Sequence, residues 1–317
     1  MWGDIAISFL LAFIISFMTT PGTMKLAHKL GALDIPKDDR RMHNNIMPKL
    51  GGLAVIAGFV ISIIYLLFVM TIEGSVDIFG PEQYFTKLLG ILIGIVVIGI
   101  TGLLDDIKTL KPWQKLIGQL LAAIIVVAFG VKIDVINFSK ISIDLKNWIS
   151  IITTIIWIVG ITNAINLMDG LDGMASGISS IYFLTITIVA FILNRIGGLD
   201  IILSVIMLGS TLGFLVYNFP PATIFMGDTG SNFLGFMIAV ISLLGFKVTT
   251  FTSLIIPFAI LALPIFDTLV SILRRLIKGQ GIAEPDREHF HHQLLKMRFS
   301  PKVSVLIIYL INILFAS

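Results

Sequence analysis

Asp169 and Asp172 stand three residues apart in the stretch NAINLMDGLDG, residues 163–173, and Asn163 and Asn166 stand three apart just before them. On a helix of about 3.6 residues per turn such positions share a face, so the spacing predicts one polar edge of two amides and two carboxylates. Long apolar runs flank the stretch, and ionisable groups at a membrane boundary are costly enough to mark a site. Gly170 and Gly173 would let the backbone approach a ligand closely. A solvated polar helix end is the plainer alternative.

Two further segments carry carboxylates. In GLLDDIK, residues 102–108, the adjacent Asp105 and Asp106 repel one another, a repulsion that a divalent cation or a basic partner relieves. They also end an apolar run, where acids oppose the helix dipole, and Lys108 offers a charge for a phosphate. In YNFPPATIFMGDTGS, residues 217–231, Pro220 and Pro221 stop a helix, and Gly227, Asp228 and Gly230 predict a tight turn into the next run. Such a turn presents backbone N–H groups at a helix N-terminus for phosphate, with Asp228 available to a metal. Asp228 could equally serve as an N-cap.

Two basic segments complete the set. DREHFHHQLL, residues 286–295, holds three of the five histidines, His289, His291 and His292. With no cysteine in the chain and with HxHH rings diverging around a helix, anion contact beside Arg287 suits them better than zinc; an amphipathic segment at the headgroups is the alternative. KDDRRMHNNIMPKLGG, residues 37–52, suits anionic lipid and anionic substrate equally. Asp267, inside an apolar run, reads as a structural partner of a basic group, outside the site.

The elements that must position these groups are membrane helices. Of the 317 residues 56% are hydrophobic and 13% charged, against roughly a quarter charged in soluble domains, and the mean hydropathy is +1.01. Ten apolar runs lie near 3–20, 50–72, 84–104, 114–131, 148–166, 174–193, 200–217, 231–246, 251–273 and 302–317. They predict an all-α polytopic membrane protein of about ten transmembrane helices, forming one domain over residues 1–317. The opening stretch reads as a retained helix, because it has neither a basic n-region nor a cleavage site. The last run is short for an upright span. The absence of cysteine excludes disulfides and thiolate chemistry. Val131 to Leu145 alternates apolar and polar residues about Asn137–Lys140 and predicts a small external β-hairpin.

Sidedness follows from the basic residues. Of the 22 lysines and arginines, all but Lys87, Lys132, Lys140, Lys146, Arg195 and Lys247 fall on one side of the ten runs, which the positive-inside rule makes cytoplasmic. That side also receives every acidic motif above, so the expected site faces the cytoplasm and both termini face out. A transporter is the competing class; it would place its ionisable groups near the midplane of broken spans, and no internal repeat supports it.

The motifs GLLDDIK, NAINLMDGLDG, FMGDTGS and DREHFHHQLL, in this order and preceded by HNNIMPKLGG, resemble the polyprenyl-phosphate N-acetylhexosamine-1-phosphate transferases, glycosyltransferase family 4, along nearly the whole chain. The HFHH form is most like the branch acting on UDP-N-acetylglucosamine. The resemblance implies transfer of N-acetylglucosamine 1-phosphate from the UDP-sugar to undecaprenyl phosphate, releasing UMP, with Mg2+ as cofactor and Mn2+ as a substitute. It implies a multi-pass protein of the bacterial inner membrane, surrounded by membrane lipids, with a homodimer as its assembly and no nucleic acid partner. By position it implies Asp228 and Asp105 as metal ligands, Asp105 and Asp106 as catalytic groups at the lipid phosphate, and Phe225 as the ring against uracil. Asn166, Asp169 and Asp172 would bind the nucleotide sugar; His289, His291 and His292 its phosphates or sugar; Lys49, Lys108 and Asn218 would assist. The phospho-N-acetylmuramoyl-pentapeptide transferases are the alternative within the family.

Overall fold

The computed structural model describes residues 2–35, 46–72, 83–133, 135–138, 141–192, 198–245, 262–277 and 290–316. In chain order the helices are α1 (Trp2–Leu30), α2 (Gly51–Ile72), α3 (Gln83–Lys108), α4 (Pro112–Ala128), α5 (Asn147–Met168), α6 (Met174–Ile192), α7 (Leu199–Asn218), α8 (Gly227–Gly245), α9 (Ala262–Ile277), α10 (Phe290–Lys296) and α11 (Pro301–Ala316). Two antiparallel pairs accompany them: β1 (Leu33–Asp34) with β2 (Met47–Pro48), and β3 (Val135–Phe138) with β4 (Ile141–Asp144).

Among the described residues seven helices, α1 to α3 and α5 to α8, are long and apolar enough to cross a membrane. The apolar helices α4 and α11 have 17 and 16 residues. At 1.5 Å per residue they reach only about 25 Å, short of the roughly 30 Å hydrocarbon layer. The first part of the ninth apolar run, 251–261, lies outside the described residues.

The first run ends near residue 20, yet α1 continues through Pro21 to Leu30. Hydropathy marks where the apolar face stops, whereas the helix persists: threonine hydroxyls on either side of the proline, those of Thr19, Thr20 and Thr23, bond back to carbonyls of the preceding turn. The extension has a use. Ala27 and Ala32 pack with Leu50, Leu103 and Ile107, and the carbonyl of Ala32 accepts the N–H of Lys49 at 3.1 Å, which fixes the entry to α2.

The inner layer is α7 and α8, each 83% buried over its apolar window, against 28% for α1. Helices meet closely where side chains are small, as expected where lipid provides no hydrophobic drive. A Cβ at Gly209 or Gly213 of α7 would strike the carbonyls of Phe9 and Phe13 on α1, and Ser210 donates to the Val55 carbonyl of α2. Gly213→Ala therefore forces α1 and α7 apart, and a thermal melt in detergent should show a loss of about 1–3 kcal/mol. Gly160→Ala, at a position with no atom within 4 Å of the added carbon, leaves the melt unchanged or slightly raised.

Candidate active site

The acidic motifs meet around the N-terminus of α8. Asp106, the second acid of GLLDDIK, accepts the N–H of Asp228 at 2.9 Å on Oδ1, and the N–H and hydroxyl of Thr229 at 2.9 and 2.6 Å on Oδ2. An acid at the C-terminal end of α3 is unfavourable by the dipole of α3, and it is compensated here by the positive end of α8. Asp106 is 4% exposed and its carboxylate acts as the cap of a helix far away in sequence. The two amides expected to receive a phosphate are thus already taken by a carboxylate of the chain itself.

Three sequence motifs lock at this point. Phe225 donates its N–H to the Pro48 carbonyl at 2.9 Å, and Gly51 and Gly52 donate theirs to the carbonyls of Phe225 and Met226 at 3.1 and 2.8 Å. Gly227 has φ +72°, and a side chain there would strike the Lys49 carbonyl and the Asp106 carboxylate. This explains glycine at the turn: L residues rarely hold such a φ, and no space is left.

Asp105 faces a different partner. Its carboxylate pairs with Lys115 of α4 and accepts the Leu110 N–H at 2.7 Å, while the same lysine lies 3.2 Å from Asp228 Oδ1. Lys115 therefore separates two carboxylates. Asp228 Oδ1 also accepts from Asn166 at 2.8 Å, and Asn166 donates to Ser231 at 2.7 Å. Behind them is a buried amide layer: Gln119 of α4 bonds Asn163 of α5 and Asn232 of α8, and Asn232 donates to the Asp228 carbonyl. Asn163 belongs to this layer, one step back from the other polar residues of its motif.

The helix carrying that motif ends at Met168, with Asp169 as its C-cap, so Asp169 and Asp172 lie on a turn and not on a shared helical face. Gly-rich sequence ends helices, and the period-of-three reading extended too far by one turn. Gly173, at φ +73°, serves packing: its neighbours are Pro220, the Asn218 carbonyl and the Tyr309 hydroxyl, and that hydroxyl donates to the Gly173 carbonyl. Asp172 accepts the Ala222 N–H at 2.9 Å, and Asn218 takes a bond from Ser176 and gives one to the Ile224 carbonyl, at 2.6 and 2.9 Å. Both side chains hold the diproline loop that leads into α8.

A cavity of ≈ 430 Å³ opens between these segments. Asp106, Asp169, Asp172 and Asp228 line it, with Asn166, Asn218 and Phe225 from the same motifs. Lys49 enters from the start of α2 and His292 from α10. Asp105, 3% exposed, stands behind Lys115 and outside the lining, and Lys108 is exposed at the helix end, away from the cavity. His289 and the side chain of His291 lie outside the described residues.

Two contributors were missing from the sequence reading, Lys115 and Asp34, and Asp267 was read there as structural and outside the site. Lys115 sits in the first turns of α4, where a cation opposes the dipole, and that misfit was the available signal. Asp34 reaches the lining through the β1–β2 pairing, which no periodicity foretells. Asp267 Oδ1 accepts the Phe290 N–H at 2.8 Å, at the first residue of α10.

The donors suit a hard cation in one specific manner. Among the described residues no three acidic or histidine side chains gather to cage an ion by themselves. Magnesium, however, is commonly held by one or two carboxylates together with substrate phosphates and water. Asp228, partly exposed to the cavity and surrounded by an excess of carboxylate oxygens, fits that pattern.

The chain is similar to known proteins. The family model described as Glycosyl transferase family 4 matches residues 88–246. A probable undecaprenyl-phosphate N-acetylglucosaminyl 1-phosphate transferase of Bacillus subtilis is 42% identical over 316 residues, covering 98% of this chain and 84% of its own. The chain belongs to glycosyl transferase family 4. Within the family, its resemblance is to the branch that this relative represents. A decaprenyl-phosphate N-acetylglucosaminephosphotransferase of Mycobacterium tuberculosis is 35% identical, covering 97% of this chain and 80% of its own. A phospho-N-acetylmuramoyl-pentapeptide-transferase of Latilactobacillus sakei is 37% identical, but over 63% of this chain and 62% of its own.

In this family member the density of negative charge has a measurable cost. Burial, and then the charges of Asp228, Asp106 and Asp172, raise the Asp169 pKa from 3.8 to about 8. Across that interval the folded protein holds a proton that the unfolded chain has lost, so stability falls as pH rises. Melts of metal-free protein in detergent, from about pH 5 to about pH 8.5, should show this fall reduced in Asp169→Asn. Parallel profiles for the two proteins would contradict it. Asp106→Ala, which strands two amides and a hydroxyl, should cost about 1.5–3 kcal/mol in the same melts.

Proposed function

We propose that this protein transfers N-acetylglucosamine 1-phosphate from UDP-N-acetylglucosamine to undecaprenyl phosphate at the cytoplasmic face of the bacterial inner membrane, releasing UMP. The product, undecaprenyl-diphospho-N-acetylglucosamine, would initiate a cell-surface polysaccharide. The observation that carries this reading is the meeting of Asp106, Asp169, Asp172 and Asp228, from three separate helix ends, on one cavity with Lys49 and Lys115 beside it. Relatives named for N-acetylglucosamine phosphate transfer cover 97–98% of the chain, which supports this branch over the muramoyl-pentapeptide one. A transporter is disfavoured because the acids collect at helix ends.

The chemistry is one phosphoryl transfer. An oxygen of the lipid phosphate attacks the phosphorus attached to the sugar, a new diphosphate bond forms, and the bond to the bridging oxygen breaks so that UMP leaves. With a second pKa near ~6 the lipid phosphate is largely a dianion at neutral pH, and a strong base is not required. What the chain must supply is neutralisation and alignment. Magnesium bound at Asp228, or manganese in its place, would offset the charge of the diphosphate. Lys115, held between Asp105 and Asp228, brings a positive charge to the same point, and Asp105 acts through that lysine as an orienter. Asn166 fixes the Asp228 carboxylate; Lys49, His292 and Phe225, which also line the cavity, would receive phosphate, sugar and base.

The location follows from the lipid. At about 0.8 kcal/mol per buried CH2, a C55 chain stays in the bilayer, so its phosphate is met at the surface on the side where the nucleotide sugar is found. Transfer of radiolabelled sugar 1-phosphate in detergent, with UMP release and a panel of UDP-sugars, tests the reading. UDP-N-acetylglucosamine should be the preferred donor, chelation should stop the reaction, and Asp228→Asn should lower turnover roughly 100-fold or more. Preference for the muramoyl-pentapeptide donor, or transport without UMP release, would overturn it.

A further inference from the structure

Asp267 is the one acid of α9, an otherwise apolar helix apart from its basic end, and it is half-buried. Its Oδ1 accepts the backbone N–H of Phe290 at 2.8 Å across 23 residues of sequence. Phe290 is the first residue of α10, so a carboxylate from α9 accepts one of the N–H groups that a helix leaves unbonded at its start. Two residues later His292 lines the cavity.

Apolar packing also holds α10. Leu294 is 7% exposed and packs with Met168, Leu171, Met174, Val305 and Ile308, that is, against the NAINLMDGLDG turn and α11. Such packing sets the distance of α10 from the turn but leaves rotation and sliding to be fixed by something directional. The Asp267–Phe290 hydrogen bond is directional, and it acts at the end nearest His292.

We propose that Asp267 is a positioning residue that sets the placement of the histidine segment and hence the affinity for the nucleotide sugar. It touches no substrate; it acts through α10. The inference rests on the function proposed above for what the cavity binds, but the tether itself can be tested separately.

Two measurements on the full-length protein in detergent decide it. In Asp267→Ala the KM for UDP-N-acetylglucosamine should rise about tenfold, equivalent to roughly 1.4 kcal/mol, with kcat and the KM for the lipid phosphate changing far less. Asp267→Asn keeps an oxygen acceptor and should restore the KM, which a requirement for charge or for folding alone would not predict. Hydrogen exchange of the peptide spanning α10 should accelerate in Asp267→Ala and stay slow in Asp267→Asn. If Asp267→Ala fails to accumulate, Phe290→Pro removes the donor at a helix position that tolerates proline and should raise the KM in the same way. An unchanged KM, an Asn variant as defective as Ala, or unchanged exchange would overturn the proposal. Wild-type protein inactive with every UDP-sugar, yet with α10 exchange dependent on Asp267, would sink the enzymatic reading and leave the tether standing.

Discussion

The bond on which the site depends is that between the Asp106 carboxylate and the first amides of α8. It joins the unfavourable end of one helix to the favourable beginning of another and satisfies both in a region with little water. Once Asp106 holds Asp228 and Thr229, the turn before α8 is fixed, Gly227 must take its positive φ, and the segment Pro48–Gly52 leading into α2 has one place to dock. Asp228 then points to Lys115 and Asn166. Asp106, itself at the cavity, thereby orders the carboxylate of Asp228 beside it.

The two neighbouring acids of GLLDDIK have therefore divided their roles. Asp106 is held by amides and a hydroxyl, and Asp105 by a lysine. Their mutual repulsion is relieved twice, by a helix end and by the Lys115 ammonium. Asp169 is different: burial first, and then neighbours of its own sign, raise its pKa, an arrangement that costs stability.

Much of this was legible in the chain because membrane helices are constrained. Hydropathy located the helical runs, and the motifs with unusual acids marked the residues that meet at the cavity. What hydropathy could not give were ends and partners. The extension of α1 through Pro21, and the stop of α5 at Met168, depend on local hydrogen bonds rather than on apolarity. Lys115 and Asp267 were visible as charges in apolar surroundings, but their partners are 10 and 23 residues away, or more, and were brought together by folding. Gln119, Asn163 and Asn232 are ordinary polar residues in sequence and become a connected layer only when α4, α5 and α8 pack.

The walls of the cavity are drawn from positions as distant as Asp34 and Pro301. During synthesis the early helices enter the bilayer long before the segment bearing His292 has left the ribosome. A nascent chain therefore carries Asp106, Asp169, Asp172 and Asp228 before His292 and Pro301 exist to complete the cavity wall.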